Sequence, residues 1–329
     1  MEEKKIIAYK GFDENLCCRG FQYEVGKEYV HKGEINCCMS GFHACTNPFD
    51  VLKYYGAGGK NRFCEVEQSG TIKSDNYDSK QSSSKIKIKT EIGRAGLFKA
   101  GVEWIKEETN PLPIIKNAKK KRNNSSDNSV QIGSIDDCDN IYSSSPHAKI
   151  GSIGESARIC SHGNSAQIGS NGVSARICSS GYYAEIGSSG YAALISSIGD
   201  YTQIGSSGYF AKISSSGDVA IIGSTGDDAQ ISFSGDYSEI GSSGCSTKIG
   251  SSGDYAQIGS DGKYAVICCA GKKSIAKAKI GSWITLSEWK YSEEEGCNIP
   301  VCVKTEYVDG ERIKEDTWYK LIDGEFREQ

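Results

Sequence analysis

The side chains with the most chemical reach in the first 70 residues are thiols and imidazoles: Cys17-Cys18, Cys37-Cys38, Cys45 and Cys64, with His31 and His43. Thiolate and imidazole are the ligands that zinc takes, so the set invites a zinc reading. The spacing argues against it. Adjacent cysteines on an extended chain point to opposite sides, whereas a zinc knuckle separates its pair by two residues. Buried free thiols are the expectation, and no metal or other cofactor is assigned. No Ser-His-Asp set, phosphate-binding glycine loop or His-Glu-x-x-His segment occurs in the chain.

A second set of candidate residues recurs at a fixed interval. Asp200, Asp218, Asp236 and Asp254 are 18 residues apart, and Tyr183, Tyr201, Tyr237 and Tyr255 keep the same step with Val219 between. Arg158, Arg176, Lys212 and Lys248 also fall at multiples of 18. Brought together by a repeat, they make two walls. One is acidic and aromatic and includes Glu185 and Glu239; the other is basic and flanked by Tyr191, Tyr209 and Phe210. Either wall suits binding, while the plainer reading is that stacked tyrosines stabilise the array and charges keep it soluble. The Asp row lacks the Gly-Gly-x-Gly-x-Asp pattern of calcium-binding repeats.

The elements that position these residues follow from the repeat. Glycine returns every nine residues from Gly154 to Gly271, isoleucine does so from Ile132 to Ile267, and a small residue stands two before most of the isoleucines. The unit reads small-x-Ile-[Gly/Ser/Cys]-Ser-x-Gly-x-x. Small-x-Ile places two side chains on one face of a strand. Ser-x-Gly supplies a turn, with glycine free to adopt positive φ. The residue after isoleucine is glycine in alternate units, as at Gly151, Gly169 and Gly187, so the coil is 18 residues with two unlike sides. This predicts a two-sided parallel β-solenoid over 130–281, of roughly eight coils at ~4.8 Å each.

Around the solenoid, residues 1–116 read as an α+β domain, 117–129 as a polar linker containing Lys119-Lys120-Lys121-Arg122, and 282–329 as a β cap. In the first domain, strands are predicted at 6–9, 62–67 and 85–92, a short helix through Val51, Leu52 and Tyr55, and a longer one at 95–108 with Leu97, Phe98, Val102 and Ile105 on its apolar side. In the cap, strands are predicted at 283–286, 301–303 and 317–321, with Asp309-Gly310 and Asp323-Gly324 as hairpin turns. The 39 glycines against 5 prolines exclude collagen and Pro-rich linkers. A net charge of −4 is not the imbalance of a dedicated nucleic-acid binder. No apolar run reaches the ~18 residues of a membrane helix, and the first residues lack a signal-peptide core, so a cytoplasmic protein with reduced thiols is expected. Cys160 and Cys178 fall on adjacent coils, near enough to pair if oxidised.

Tyr9-Lys10-Gly11, Gly41-Phe42-His43, the helix ending at Tyr54-Tyr55 and a later strand with Glu65 and Glu67 resemble, in order and shape, the ADP-ribosyltransferase-like core. There a strand ends in Tyr-[Arg/His]-Gly; Lys10 stands at the Arg or His position. The resemblance implies a groove between the Tyr9 and Gly41 strands that accepts a nicotinamide, with Glu65 or Glu67 as the required glutamate. A more extensive likeness covers nearly the whole chain. Tyr9-Lys10-Gly11-Phe12, Cys18-Arg19-Gly20-Phe21-Gln22-Tyr23-Glu24-Val25-Gly26-Lys27, Ser40-Gly41-Phe42-His43-Ala44-Cys45, the nonapeptide array and the tail Val308-Asp309-Gly310-Glu311-Arg312-Ile313 with Asp316-Thr317-Trp318-Tyr319 resemble a family of phage and prophage proteins with no established activity. That resemblance implies a mobile-element context in the cytosol of an infected bacterium.

The expectation is a non-enzymatic binding protein that presents a rigid solenoid face to a host protein or nucleoprotein, with inhibition of a bacterial defence system as its role. The alternatives are an ADP-ribosyltransferase-like enzyme and a virion fibre component. The acidic wall is the favoured contact. Membrane is not an expected partner. Direct nucleic-acid binding is not favoured, because a sparse basic line neutralises few phosphates at once.

Overall fold

The computed structural model describes residues 4–37, 39–56, 60–74, 78–110 and 129–329. Cys38 and the basic stretch 119–122 lie outside the described residues. The chain forms two compact units, residues 1–104 and 105–329.

The first unit contains β1 (Ile6–Phe12), β2 (Cys17–Cys18), β3 (Phe21–Gln22), β4 (Glu28–Val30), β5 (Phe42–Cys45), β6 (Arg62–Ser74) and β7 (Lys80–Glu91). β1 pairs antiparallel with β6 along its whole length, from Ile6↔Gln68 to Phe12↔Arg62. β7 pairs with β4, β5 and β6, while β1 meets β5 at Tyr9↔Cys45 alone. The strands β1, β6, β7 and β5 thus close into a ring that is stitched at one residue pair between β1 and β5, and the two strands part on either side of it. Phe12, Tyr23 and Phe42 fill the interior with edge-to-face ring contacts. Gln68, fully buried, donates from Nε2 to the carbonyl of Phe42 at 2.9 Å and to Ser83 Oγ at 3.1 Å.

The short helix after β5 is a 3-10 helix, Pro48–Lys53, started by Asn47, whose side chain accepts from the Phe49 N–H. The longer helix runs Gly93–Glu108 and buries Leu97, Phe98 and Val102, with Phe98 against Phe49. Gly41 has φ +94°, and a Cβ there would strike the Ser82 hydroxyl, so the entry to β5 admits only glycine.

The second unit is a parallel β-solenoid. Strands of four residues alternate between two sheets, and each pairs in register with the strand 18 residues on: Ile150↔Ile168, Ile159↔Ile177, and so along the array. Each sheet has nine parallel strands, one coil more than the repeat predicts. The added coil uses Ala276 where isoleucine is due and Ile284 one residue early, opposite Ile267. Isoleucines and alanines of successive coils stack in an interior from which solvent is excluded. Each buried isoleucine contributes roughly 1.5–3 kcal/mol.

The turn differs from the prediction in an instructive way. The repeating glycine is not at positive φ. That conformation belongs to the residue two places later, among them Tyr183, Ala192, Tyr201, Phe210, Val219, Tyr237 and Tyr255, with φ of 53–58°. Glycine is needed for a different reason. A Cβ on Gly172, Gly190 or Gly217 would overlap the carbonyl oxygen of the glycine one coil earlier. Close approach of stacked backbones, rather than local turn geometry, sets the nine-residue glycine period.

The C-terminal strands are Trp283–Ser292, Cys297–Tyr307, Tyr319–Ile322 and Glu325–Glu328. Trp283–Ser292 extends one sheet and then folds back antiparallel onto Cys297–Tyr307. Tyr319–Ile322 closes the other sheet antiparallel at Ala276↔Tyr319. At the C-terminal end, each sheet is thereby continued by antiparallel strands, Cys297–Tyr307 on one and Tyr319–Ile322 with Glu325–Glu328 on the other. Asp323-Gly324 is a hairpin turn with both residues at positive φ. Asp309-Gly310 is not. Asp309 Oδ1 instead accepts from the N–H groups of Glu311, Arg312 and Ile313, which ties a local loop and holds its carboxyl below the usual range. No helix among the described residues is long and apolar enough to cross a membrane.

Candidate functional site

On the solenoid, the acidic and aromatic residues run along a column of turns. Asp200 Oδ1 accepts from the Asp218 N–H at 2.9 Å, Asp218 Oδ1 from Asp236 and Asp236 Oδ1 from Asp254 at 2.8 Å, and Asp254 Oδ1 from Lys272 at 2.7 Å. Each carboxylate therefore caps the backbone of the coil that follows. Asn164 does the same for Tyr182 at 3.1 Å, so the ladder needs a side-chain oxygen, not a charge. The left-handed residue beside each aspartate turns its side chain outward. Tyr183 stacks on Tyr201 at 5.0 Å and 15°, and Tyr237 on Tyr255 at 4.7 Å and 7°, with Val219 between the pairs. These rings remain 37–57 % exposed. At the C-terminal end, the column changes sign: Lys272 bridges Asp254 Oδ2 at 2.8 Å, and Lys273 donates to the Tyr255 hydroxyl.

Glu185 and Glu239 stand apart from this column, in the strands of the sheet that carries the alternate glycines, where Gln167 Nε2 donates to Glu185 Oε2 at 3.1 Å. Arg158, Arg176, Lys212 and Lys248 occupy the outer face of the other sheet in one exposed row. Its order is Arg158, Arg176, Leu194, Lys212, Gln230, Lys248, so only the two arginines are adjacent. Tyr191 and Phe210 pack at 5.4 Å along the second column of turns. The two walls are therefore an edge and a face. Cys160 and Cys178 lie in register beside the arginines, Cα atoms 4.7 Å apart, with their sulfurs joined.

The first unit holds a cavity of about 280 Å³ where β1 and β5 part. β1 contributes Tyr9, Lys10 and Gly11; β5 contributes His43, Ala44 and Cys45; Tyr54 and Tyr55 close one side. Lys10 is only 5 % exposed. Its Nζ donates to the His43 carbonyl at 2.9 Å and to Cys18 Sγ at 3.4 Å, and lies over the rings of Phe12 and Tyr23. Burial pulls its pKa below the ordinary lysine value, with Cys18 opposing. The Tyr55 hydroxyl donates to the same Cys18 sulfur at 3.0 Å. Burial, reinforced by Lys10, Arg19 and Lys80, lowers His43 to about 4, so its imidazole is neutral at pH 7. Tyr54 is pushed up to about 12 by burial and its hydrogen bond to Asp78.

A cavity thus lies between the Tyr9 and Gly41 strands, and neither Glu65 nor Glu67 is among its lining residues. Glu65 is held by Lys89 at 2.5 Å and Glu67 by Lys5 at 2.9 Å. Among the described residues, no three His, Cys, Asp or Glu side chains converge as a metal set. Arg19 and Lys80 were not legible as site residues. Arg19 comes from the turn between β2 and β3, and Lys80 reaches the cleft from β7, 70 residues after Lys10.

The model of a domain of unknown function, DUF7666, matches residues 6–100. The chain is similar to that family over the first unit. No curated protein and no solved structure matches the chain.

Proposed function

We propose that the protein is a non-enzymatic binding protein whose solenoid edge engages a basic surface on a host protein or nucleoprotein in the bacterial cytosol. The observation that carries this reading is the aspartate ladder with its stacked tyrosines. Each carboxylate spends one oxygen on the backbone and is held at one-coil spacing, with exposed rings alongside. Such a row loses little conformational entropy on binding, which favours tight stoichiometric association. The phage-family likeness supports a role in blunting a host defence.

The test compares two quadruple variants of the full chain. Asp200, Asp218, Asp236 and Asp254 all replaced by Asn keep a ladder oxygen, as Asn164 shows in place, but lose the charge. In capture from bacterial lysate, this variant is expected to lose the partner that the wild type retains. Binding by the wild type should also weaken as salt rises. Replacing Arg158, Arg176, Lys212 and Lys248 with Gln should change little. The opposite pattern would assign the contact to the basic face, and no partner for the intact chain would remove the reading.

A further inference from the structure

Between Tyr183 and Tyr255 the column of rings on the solenoid edge is interrupted at a single coil, by Val219. Each ring stands at the left-handed residue of its turn, and Val219 holds the same conformation at φ +57°. A β-branched residue is rare in that region, whereas tyrosine takes it four times in this column. Tyr201 and Tyr237 are two coils apart, about 9.6 Å at one strand spacing per coil. Tyr201 stacks only on Tyr183 and Tyr237 only on Tyr255, so among the described residues no ring lies between them. A planar group set over Val219 would be about 4.8 Å from either ring. That is the spacing the tyrosines themselves adopt, 5.0 and 4.7 Å.

The C-terminal end of the same column shows which chemistry such a position takes. Lys273 is to Tyr255 what Val219 is to Tyr201, the left-handed residue one coil on. Its ammonium lies 5.1 Å from the Tyr255 ring centroid and donates to that hydroxyl at 3.1 Å, while Lys272 pairs with Asp254. The chain thus seats its own cations on the last ring and the last carboxylate. At the Val219 coil the cations are missing. Asp200, Asp218 and Asp236 each give one oxygen to the backbone N–H of the next coil, and among the described residues no cation pairs with them.

We propose that the gap over Val219 is a slot for an arginine side chain of a protein partner, with the guanidinium between Tyr201 and Tyr237 and beside the aspartate row. This rests on the reading of the edge as the contact for a basic surface, and names the side chain that the edge grips. A guanidinium is planar, stacks on aromatic faces and sheds water more readily than an ammonium, so two parallel rings favour arginine over lysine. The adjacent carboxylates supply acceptors for its N–H groups.

The experiment is a titration of the full chain, carrying isotope-labelled tyrosine rings, with capped arginine, capped lysine and capped citrulline, followed by nuclear magnetic resonance. Arginine should give saturable shifts of the Tyr201 and Tyr237 rings, at least threefold tighter than lysine, and citrulline none. Val219→Tyr fills the slot with a ring in a conformation that tyrosine already adopts in this column, and keeps every aspartate. It should weaken arginine at least tenfold without lowering the urea midpoint. Tyr201→Leu, which removes one wall, should also weaken arginine and keeps the test decisive if the first variant misfolds. No saturable shift, equal binding of citrulline, or unchanged affinity in the folded variants would overturn the slot. In lysate capture, a partner lost by the aspartate-to-asparagine variant but kept by Val219→Tyr would overturn the slot and leave the acidic edge standing. Arginine binding at the slot without any lysate partner would support the slot and remove the host-protein reading instead.

Discussion

Along the aspartate column of the solenoid, a carboxylate of one coil is met by the backbone N–H of the equivalent residue in the next coil; in the first unit, the buried Gln68 and Lys10 find partners of unlike kinds. Asp218 caps Asp236 as Asp200 caps Asp218. Gln68 instead bonds the Phe42 carbonyl and Ser83, and Lys10 bonds a carbonyl and a thiol. Translation makes the first arrangement tolerant. Once Ile, Ala and the close-approach Gly are in place, the outward positions can be Arg, Leu, Lys or Gln without changing the register. The ring of four strands has no such redundancy, and its weakest seam, the single pair Tyr9↔Cys45, is where the cleft opens. A regular array is suited to displaying a surface, whereas an irregular ring is suited to enclosing a ligand.

The contrast can be broken most severely at the solenoid backbone. Gly217→Ala forces a Cβ into the Gly199 carbonyl oxygen, which cannot move without parting two coils. The destabilisation should exceed the ~3 kcal/mol usual for overpacking, seen as a large fall in the urea midpoint of the full chain. A fall of less than about 1 kcal/mol would mean that the stack yields more readily than its register implies. Next is Ile204→Ala in the middle of the zipper, where removal of a fully buried side chain should cost about 3 kcal/mol.

The third concerns the first unit and pH. His43 has a folded-state pKa of about 4 against an ordinary 6.5, because burial and three cations disfavour its charged form. The unfolded chain then binds more protons between those values. The contribution of His43 to stability is complete above pH 6.5 and is lost as pH falls toward 4. His43→Gln should remove that part of the acid sensitivity, and the imidazole resonance of the wild type should not titrate near pH 6.5. A normal titration curve would contradict the enclosure described for the cleft. The smallest effect sharpens the ladder: Asp236→Ala should cost about 1 kcal/mol and Asp236→Asn less than about 0.5, because only the alanine leaves the Asp254 N–H without its acceptor.

The sequence by itself determined the solenoid, its in-register strands and its 18-residue coil, because a nine-residue period in Ile and Gly admits few other ways of burying the isoleucines. It also placed the Asp and Tyr rows at one-coil intervals. It assigned the glycines to the wrong cause, since their need arises from a backbone one coil away, which no local window contains. Only the tertiary structure decided that the acidic row is a turn column rather than a sheet face, because that depends on where the chain leaves one sheet for the other. The cleft was hidden for a similar reason. Lys10, Arg19, His43 and Lys80 come from separate strands and a turn, and only the closure of β1, β6, β7 and β5 brings their charges around one cavity. Periodicity makes long-range contacts readable as short-range spacing; where the chain does not repeat, the contacts that build a site leave no interval to read.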